Sequence, residues 1–254
     1  MNQNMTKCWR AIAASVTGSS HEKSGQPCQD AHNYRLLPNG VLVAAVADGA
    51  GSAPLAAIGA QIAVKTAVET ISNLHPLPEN ESNLRLLLLD VLAFARDSVE
   101  AVAKTDNVPL KDLASTLIVV VATPENVQAA QVGDGAAVVR SGDGSIIPIT
   151  TPVTGEYANE TIFLTSPHAL SLAQVNVWYG TPAQLAVFSD GLQRLALKIP
   201  EGIPHKPFFS PLFKFVAEAE DDTVALAQLH DFLKSPRVTS RTDDDLTLLL
   251  ATSF

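Results

Sequence analysis

The sequence is poor in cysteine and in basic residues, and both shortages exclude classes of function. Its 254 residues contain two cysteines, Cys8 and Cys28. The absence of a Cys-x-x-Cys spacing argues against a structural zinc site, while a single disulfide stays open. Two thiols fit a reducing compartment. Lysine and arginine total 17 against 26 acidic residues, a net charge of −9, which argues against nucleic-acid binding but is compatible with a divalent cation.

Long apolar runs and phosphate-binding glycine loops are also missing. No stretch approaches the ~20 apolar residues that a membrane helix needs, so no membrane contact is expected. The start, MTKCWRAIAASVTGSS, has the order of a signal peptide, but Arg10 interrupts its apolar run. We therefore predict a first strand at Trp9–Val16 and a cytoplasmic protein. No Gly-x-x-x-x-Gly-Lys motif is present.

What the chain has is a hydrophobic content of 46%, enough for a large core. Strand-like runs are WRAIAASV, GVLVAAVAD, STLIVVVAT, VQAAQVGD, AAVVRSG, SIIPIT, TIFLTS, QLAVFSD and DLTLLLATS. Helix-like runs cover about 53–72, 82–104 and 223–234; Ser52 and Pro54 suit the start of the first of these. The Pro-rich segment 197–211 is predicted to be a loop.

The order of these segments predicts the fold class. Strands follow one another with few helices between them from about 115 to 190, which favours antiparallel sheets over a doubly wound parallel sheet. We predict an α+β fold, a four-layer α-β-β-α sandwich of two antiparallel sheets flanked by helix pairs. Without an internal repeat or a linker, residues 1–254 are expected to form one domain.

Four Asp-Gly dipeptides punctuate the strands, and three of them are unusual. Asp143 lies between polar residues and reads as a plain hairpin turn. Asp48, Asp134 and Asp190 each follow a nearly continuous apolar run, typical of a strand buried on both faces. A carboxylate at the rim of a core needs a partner, and several together repel unless a divalent cation neutralises them. These three residues predict a Mg²⁺ or Mn²⁺ site.

Further acids extend this pattern at both ends of the chain. Asp30, in GQPCQDAHNY, is expected to begin the second half of a first hairpin. The triplet 243–245 directly precedes the last apolar strand. An acidic triplet is usually a solvated loop, but its position at the mouth of a buried strand makes it a candidate contributor to the same site.

The order of the motifs resembles that of the metal-dependent type 2C protein serine/threonine phosphatases. An Asp-Gly after the second long strand, a Ser-Thr opening a strand, VGD, SDG and a terminal Asp-Asp-x-Thr follow in sequence. The chain looks closest to a bacterial branch marked by Ser-His…Gly-x-Pro-Cys-Gln-Asp-Ala, here SHEKSGQPCQDA. The resemblance spans about residues 9–252, and the motif order is a specific signal although each motif alone is common. It implies the sandwich of two sheets already expected.

The resemblance also implies a centre with two metal ions, Mn²⁺ or Mg²⁺, and a third, weaker ion. The implied metal residues are Asp30, Asp48, Gly49, Asp134, Asp190 and Asp244. Asp48 would bridge two ions, and the carbonyl of Gly49 and waters would complete the coordination of one. Asp190 and Asp244 would bind the other.

Asp30 and Asp48 are the implied catalytic carboxylates, with Asp30 acting through a water molecule held by the ions. Asp134 matches the residue that helps to hold the third ion. Within the triplet 243–245 the resemblance selects Asp244, because it lies three residues before Thr247.

Three departures from the family pattern concern catalysis. Gln29 replaces a glutamate and contributes no negative charge. Ala50 replaces the histidine that is proposed to protonate the leaving alkoxide, and a missing general acid costs of order 10²–10⁴ in rate. His21 occupies the place of the phosphate-binding arginine and is a candidate catalytic contact to phosphate or substrate; a structural hydrogen bond is the alternative. Arg10 and Lys23 are the other cations near it in the sequence.

The function implied by the resemblance is metal-dependent hydrolysis of phosphoserine and phosphothreonine in proteins, in bacterial signalling opposite a protein kinase. Two cations lower the pKa of a water that attacks phosphorus in line, without a phosphoenzyme. Two alternatives stay open: a catalytically weak binding or regulatory module, motivated by Gln29 and Ala50, and a hydrolase of a small phosphoester. The sequence gives no indication of the oligomeric state.

Overall fold

The computed structural model describes residues 8–74, 77–78, 80–152 and 161–254. In these ranges the strands are β1 (Trp9–Val16), β2 (Ala31–Leu37), β3 (Val41–Ala47), β4 (Leu117–Ala122), β5 (Asn126–Val132), β6 (Ala136–Ser141), β7 (Ile146–Thr150), β8 (Gln174–Tyr179), β9 (Pro182–Phe188), β10 (Leu197–Lys198), β11 (Ile203–Pro204) and β12 (Leu246–Ser253). The helices are α1 (Ser19–Ser24), α2 (Ala56–Ser72), α3 (Glu81–Thr105), α4 (Gln193–Ala196), α5 (Lys206–Glu218), α6 (Asp222–Leu233) and α7 (Pro236–Thr239).

Ten of these strands form two five-stranded sheets. The first sheet has the spatial order β1-β12-β9-β6-β7, and the second has the order β2-β3-β4-β5-β8. The strand pairs within both sheets are antiparallel. Strands β10 and β11 form a separate small hairpin. The predicted α+β fold with two antiparallel sheets is confirmed.

Both faces of the central strands are covered, which explains their continuous apolar sequences. In β3, Ala44 and Val46 lie in the core between the two sheets, whereas Val43 and Ala45 pack toward α2 and α3. On the outer face of the first sheet, α5 and α6 cover a third core. The layers therefore run helix pair, sheet, sheet, helix pair. A strand buried in this way has no solvent-facing side for a polar residue, so the first polar residue, Asp48, comes where β3 ends.

Of the ten strands in the two sheets, the two that no apolar run predicted lie at the edges of the second sheet. Strands β2 and β8 carry polar residues and are partly exposed, so they lack the apolar run that identifies the central strands. The expected first hairpin is also wrong. Strand β1 pairs with β12 and β2 pairs with β3, so the first two strands belong to different sheets.

Two segment assignments are corrected by the structure. The Pro-rich segment 197–211 is not simply a loop: it contains the β10–β11 hairpin and the start of α5, whose Phe209 and Phe213 are buried. The TIFLTS run at 161–166 forms a turn rather than a strand. Arg96 of α3 donates to the carbonyls of Leu164 and Ser166, at 2.6 and 2.5 Å, which holds this turn against the helix.

The helices after β3 match the prediction in position but not in the start of α2. The helix begins at Ala56 and is preceded by Leu55 without a side-chain cap, so Ser52 does not cap it. The Ala53 amide donates to the Ala50 carbonyl at 2.8 Å, and this turn delays the helix. No helix in the part of the chain that the structure describes is both long and apolar enough to cross a membrane.

Candidate metal centre

Strand register brings Asp30 and Asp48 to the same end of the second sheet. Ala31, the first residue of β2, is paired with Ala47, the last residue of β3. Asp30 precedes this pair and Asp48 follows it, so the two residues flank the same cross-strand position. Asp30 and Asp48 thus become neighbours because, in an antiparallel pair, the start of one strand lies beside the end of the other.

The first sheet delivers its acids to the same place. Phe188, near the end of β9, pairs with Ala136 at the start of β6 and with Leu248 in β12. Asp134 and Asp190 lie next to these strand ends. The acidic triplet enters at the start of β12. We call the resulting group the carboxylate cluster; its members are Asp30, Asp48, Asp134, Asp190 and Asp244.

Within the carboxylate cluster, Asp30 links the two sheets through a hydrogen bond. It is 6% exposed, and its Oδ2 accepts a 2.7 Å hydrogen bond from the Ser189 hydroxyl. Burial raises the pKa of Asp30 to about 7. Hydrogen bonds from Ser189 and Thr247 oppose this rise. The negative charges of Asp245 and Asp190 add to it.

Asp48 lies at the end of β3, among acids from both sheets. Its backbone amide donates to the Thr116 hydroxyl at 2.9 Å, which fixes the point where the chain leaves β3. Burial raises the pKa of Asp48 well above its usual range, and the neighbouring charges of Asp30 and Asp190 raise it further. A hydrogen bond between the carboxyls of Asp48 and Asp190 also raises the pKa of Asp48 and lowers that of Asp190.

The remaining three members of the carboxylate cluster are shifted in the same direction. Burial raises the pKa of Asp190 to about 6, and the charges of Asp134 and Asp244 contribute to the rise. Burial likewise raises the pKa of Asp134 and that of Asp244. The Thr161 hydroxyl donates to Asp134 at 2.7 Å and opposes part of its shift. Five acids that all resist ionisation together form a site that favours positive charge.

The Asp143 turn behaves in the opposite way, as the sequence predicted for a plain hairpin. Asp143 is exposed between β6 and β7, and Gly144 has a φ of 85°. The hydroxyls of Ser141 and Ser145 donate to its carboxylate and lower the pKa of Asp143 to about 2. The same dipeptide therefore has two electrostatic roles, set by burial and not by the turn.

Glycines follow three members of the carboxylate cluster, and other backbone passes very close to each of these glycines, as Gly49 and Gly191 show. A Cβ at position 49 would lie 2.7 Å from the carbonyl oxygen of Gln29 and 2.8 Å from the Cβ of Ala56. A Cβ at position 191 would lie 2.2 Å from the carbonyl oxygen of Asp245. Both contacts are below any normal separation, so these Asp-Gly steps are required for packing as well as for turning.

Within the acidic triplet, Asp244 and Asp245 have different surroundings. Asp245 is 2% exposed, and its carboxylate accepts hydrogen bonds from the amides of Gly18 and Gln29 and from Nδ1 of His21. Asp244 is exposed, and its charge acts on Asp48 and Asp190. The Asp244 carboxylate is therefore available to a ligand, whereas the Asp245 carboxylate is occupied by hydrogen bonds within the protein.

Unpaired oxygens test whether these residues fit a bound cation. Among the described residues, buried oxygens without a hydrogen-bond partner include Oδ1 of Asp30, Asp134 and Asp190 and Oε1 of Gln29. Such groups are costly unless a ligand satisfies them. In the same ranges, no three His, Cys, Asp or Glu side chains are grouped so that they hold an ion by themselves. An ion with one or two carboxylates and several waters, the pattern that Mg²⁺ prefers, fits both observations.

Sequence reasoning missed the residues that orient the acids. These are Ser189, Thr247, Thr161 and Thr116, together with Gln193, whose side chain donates to the Asp134 carbonyl at 2.5 Å. Ser189 was visible in the SDG motif, but its contact across two sheets was not.

The two cations that neighbour His21 in the sequence lie elsewhere or face solvent. Arg10 forms an ion pair of 3.1 Å with Asp222 of α6, and it pairs across strands with Thr252, at the end of β12 far from the carboxylate cluster. Lys23 is exposed on α1. His21 alone of the three lies beside the site.

Comparison with known proteins gives a consistent result over most of the chain. The family model described as "Protein phosphatase 2C" matches residues 17–234. A protein of Escherichia coli (strain K12), "Serine/threonine-protein phosphatase 3", is 37% identical over 250 residues, covering 96% of this chain and 98% of that protein.

Solved structures share the fold at low sequence identity. The S. agalactiae serine/threonine phosphatase has a TM-score of 0.68 at 15% identity, covering 96% of this chain and 99% of that one. The catalytic domain of the serine threonine protein phosphatase PstP, solved with two manganese ions, has a TM-score of 0.62 at 14% identity, covering 98% and 99%.

Proposed function

The chain belongs to the protein phosphatase 2C family, and we propose that it hydrolyses phosphoserine and phosphothreonine in proteins with divalent cations held by the carboxylate cluster. The observation that carries this proposal is the meeting of five mutually repelling acids, three of them with an unpaired buried oxygen, where both sheets end. The bacterial relative's name supports the substrate class. The two manganese ions in the PstP structure support a pair of cations.

Individual metal roles follow from position and surroundings. Asp48 would serve both ions, because the charges of acids from both sheets act on it. The carbonyl of Gly49 would serve the first ion, and Asp190 and Asp244 would serve the second. Asp134 lies further along the first sheet and would take part in a third, weaker site. Hard oxygen donors of this kind suit Mn²⁺ or Mg²⁺.

Residues of the chain would position water and substrate around the bound cations. A bound cation pair supplies an acidified water and neutralises the phosphoryl oxygens. Asp30, held at Oδ2 by Ser189, presents its unpaired Oδ1 as the acceptor that orients the attacking water. Gln29 presents an unpaired amide oxygen beside it, where it orders water without adding charge. His21 is placed to contact the substrate.

We also propose where the protein works and on what. The two-cysteine composition and the bacterial relative support a cytoplasmic enzyme in a bacterium, working opposite a protein kinase on phosphoproteins. The finer placement in the branch marked by SHEKSGQPCQDA stays a prediction. Nucleic acid and membranes are not expected partners of a chain with net charge −9.

The experiment that tests this function is hydrolysis of a phosphoserine peptide and of p-nitrophenyl phosphate, with and without Mn²⁺. We expect Mn²⁺-stimulated turnover of both and its loss with EDTA. Equal rates for wild type and Asp190→Ala would overturn the metal assignment. Calorimetry that shows phosphopeptide binding without Mn²⁺ uptake would support the binding-module alternative. Faster turnover of small phosphoesters than of phosphopeptides would support the alternative that the protein hydrolyses a small phosphoester.

A further inference from the structure

A His-Asp pair, made of the partly buried His21 and the buried Asp245, lies beside the carboxylate cluster without a proposed role in holding cations. The Asp245 carboxylate accepts three hydrogen bonds, from the Gly18 amide at 2.7 Å, the Gln29 amide at 2.5 Å and Nδ1 of His21 at 2.9 Å. Three donors, all from the connection between β1 and β2, hold this carboxylate in one orientation. A fixed carboxylate in turn fixes the imidazole, because Nδ1–H donates to it and Nε2 must point away.

The free nitrogen of His21 points toward the loop that follows Asp48. A Cβ at position 51 would lie 3.9 Å from Nε2, so the ring edge faces this loop. The charge of His21 also acts on Asp244. The side chain is only 12% exposed. The imidazole therefore lies between the two segments that bring Asp48 and Asp244 to the carboxylate cluster, close to where a phosphoester would bind.

The loop itself offers no group for proton transfer at the expected place. Hydrolysis of a serine or threonine phosphoester expels an alkoxide, which needs a proton. At position 50, where the resemblance places a histidine, the chain has Ala50, a buried methyl group packed with Ala53 and Ala114. A cavity of about 480 Å³ adjoins Ala50 and opens beside Lys111 and Phe163.

We propose that His21 is the proton donor to the leaving serine or threonine oxygen, and that Asp245 is the residue that positions it. As water forms the new bond to phosphorus, the P–O bond to the side chain breaks and its electron pair stays on that oxygen. The oxygen takes the proton from Nε2, which gives a serine or threonine hydroxyl and inorganic phosphate. The attacking water loses its proton to solvent, and His21 regains one from solvent. The inference rests on the proposed phosphatase function.

The first test compares two leaving groups in His21→Gln. Alkoxide departure needs a proton, whereas p-nitrophenolate leaves as an anion. We expect kcat for a phosphoserine peptide to fall at least about 100-fold and kcat for p-nitrophenyl phosphate to change by less than about threefold. His32→Gln is the matched control, since His32 also bonds through Nδ1, to the Ser15 hydroxyl at 2.8 Å, and the ratio of the two rates should stay unchanged.

Other outcomes of this test have definite meanings. An equal loss on both substrates would overturn the proton-donor role and leave His21 as a phosphate contact. No loss on either would overturn any catalytic role. The Mn²⁺-stimulated rate on p-nitrophenyl phosphate separates the two proposals. If wild type lacks this rate, the proposed phosphatase function is wrong; if His21→Gln retains it, the variant is folded and the proton-donor role can be judged. If His21→Gln does not fold, His21→Asn is assayed in the same way and must show the same selective loss.

Two further variants test positioning and rescue. If Asp245 acts through His21, the double variant His21→Gln/Asp245→Asn should hydrolyse the phosphopeptide no more slowly than His21→Gln alone. Adding Ala50→His to His21→Gln should restore at least about tenfold of the lost phosphopeptide rate, because the adjoining cavity leaves room for a ring. If the double variant is slower than His21→Gln alone, Asp245 does not act through His21. If Ala50→His does not restore the rate in a folded protein, the loss in His21→Gln is not the loss of a proton donor.

A measurement without turnover checks the geometry. ¹⁵N NMR of the metal-free protein identifies the His21 ring by its absence in His21→Gln. We expect a protonated Nδ1 whose shift moves in Asp245→Asn. An unprotonated Nδ1 would contradict the hydrogen bond on which the positioning depends.

Discussion

At the scale of single residues, burial decides what an Asp-Gly step does. Asp143 and Asp190 share the same dipeptide, yet hydrogen bonds lower the pKa of the first to about 2 while burial raises the pKa of the second to about 6. Two serine hydroxyls satisfy the exposed Asp143. Asp190 faces other acids and keeps an unpaired oxygen. Only the second arrangement gains from a cation.

Asp190→Asn should therefore change stability and activity in opposite directions. Removing one charge from a repelling group should raise the Tm of the metal-free protein at pH 7.5 by roughly 2–4 °C, the effect of about 1 kcal/mol in a chain of this size. Loss of a ligand should reduce Mn²⁺-stimulated hydrolysis at least about 100-fold. Thermal unfolding with EDTA and steady-state assays measure both effects. Asp143→Asn is the control and should not change the assay rate; a lower Tm for Asp190→Asn would contradict the repulsion.

The Gln29 side chain gives a second prediction at this scale. It is 5% exposed with an unpaired oxygen, beside Asp30. Gln29→Glu should tighten Mn²⁺ binding roughly tenfold, since affinity rises with the charge of the ligands, and should lower the Tm of the metal-free protein. Calorimetric titration measures the affinity. Gln26→Glu adds the same charge at an exposed position nearby and should leave the Mn²⁺ affinity unchanged. An equal gain in affinity in the two variants would show that net charge alone is responsible.

At the scale of elements, the centre is a product of strand register. The apolar runs predicted the central strands and the acids that end them, because a strand buried on both faces tolerates a carboxylate only at its rim. They did not predict β2 and β8, whose exposed faces break the run, nor the contacts of Ser189 with Asp30 and of Thr161 with Asp134. Those contacts depend on how two sheets and a turn are placed, and no local pattern carries that information.

Gly49→Ala tests whether this placement depends on close backbone packing. The added methyl would lie 2.7 Å from the Gln29 carbonyl, so the loop carrying Asp48 must shift. We expect the free energy of unfolding to fall by about 1–3 kcal/mol, and Mn²⁺ affinity to fall with it. Gly142→Ala meets open space in the β6–β7 hairpin and should stay within about 0.5 kcal/mol of wild type. Equal denaturation midpoints for the two variants would contradict the packing argument.

At the scale of the whole molecule, folding assembles a site that works against the folded state until a cation binds. Both sheets contribute acids, and the Ser189–Asp30 hydrogen bond joins them. The pKa of Asp30 rises to about 7 and that of Asp190 to about 6, from an ordinary value near 3.8. An acid with a raised folded pKa stabilises fully below its unfolded pKa, and this stabilisation is lost as pH rises through the folded value.

The metal-free protein should therefore lose stability between about pH 4 and 7, and Mn²⁺ should restore it increasingly as the acids ionise. Thermal unfolding from pH 5 to 8, with EDTA or with saturating Mn²⁺, measures both curves. We expect the difference in Tm to grow with pH and to shrink in Asp190→Asn. A difference that is constant over this range would show that the shifted acids are not the ones that bind the ion.

The most direct measurement of the central claim is anomalous diffraction from crystals soaked in Mn²⁺. We expect two strong peaks within the carboxylate cluster, with Asp48 between them and Asp190 and Asp244 beside the second. A weaker third peak is expected near Asp134. Peaks only outside the cluster, or none in crystals of a protein that still hydrolyses the phosphopeptide, would contradict the claim.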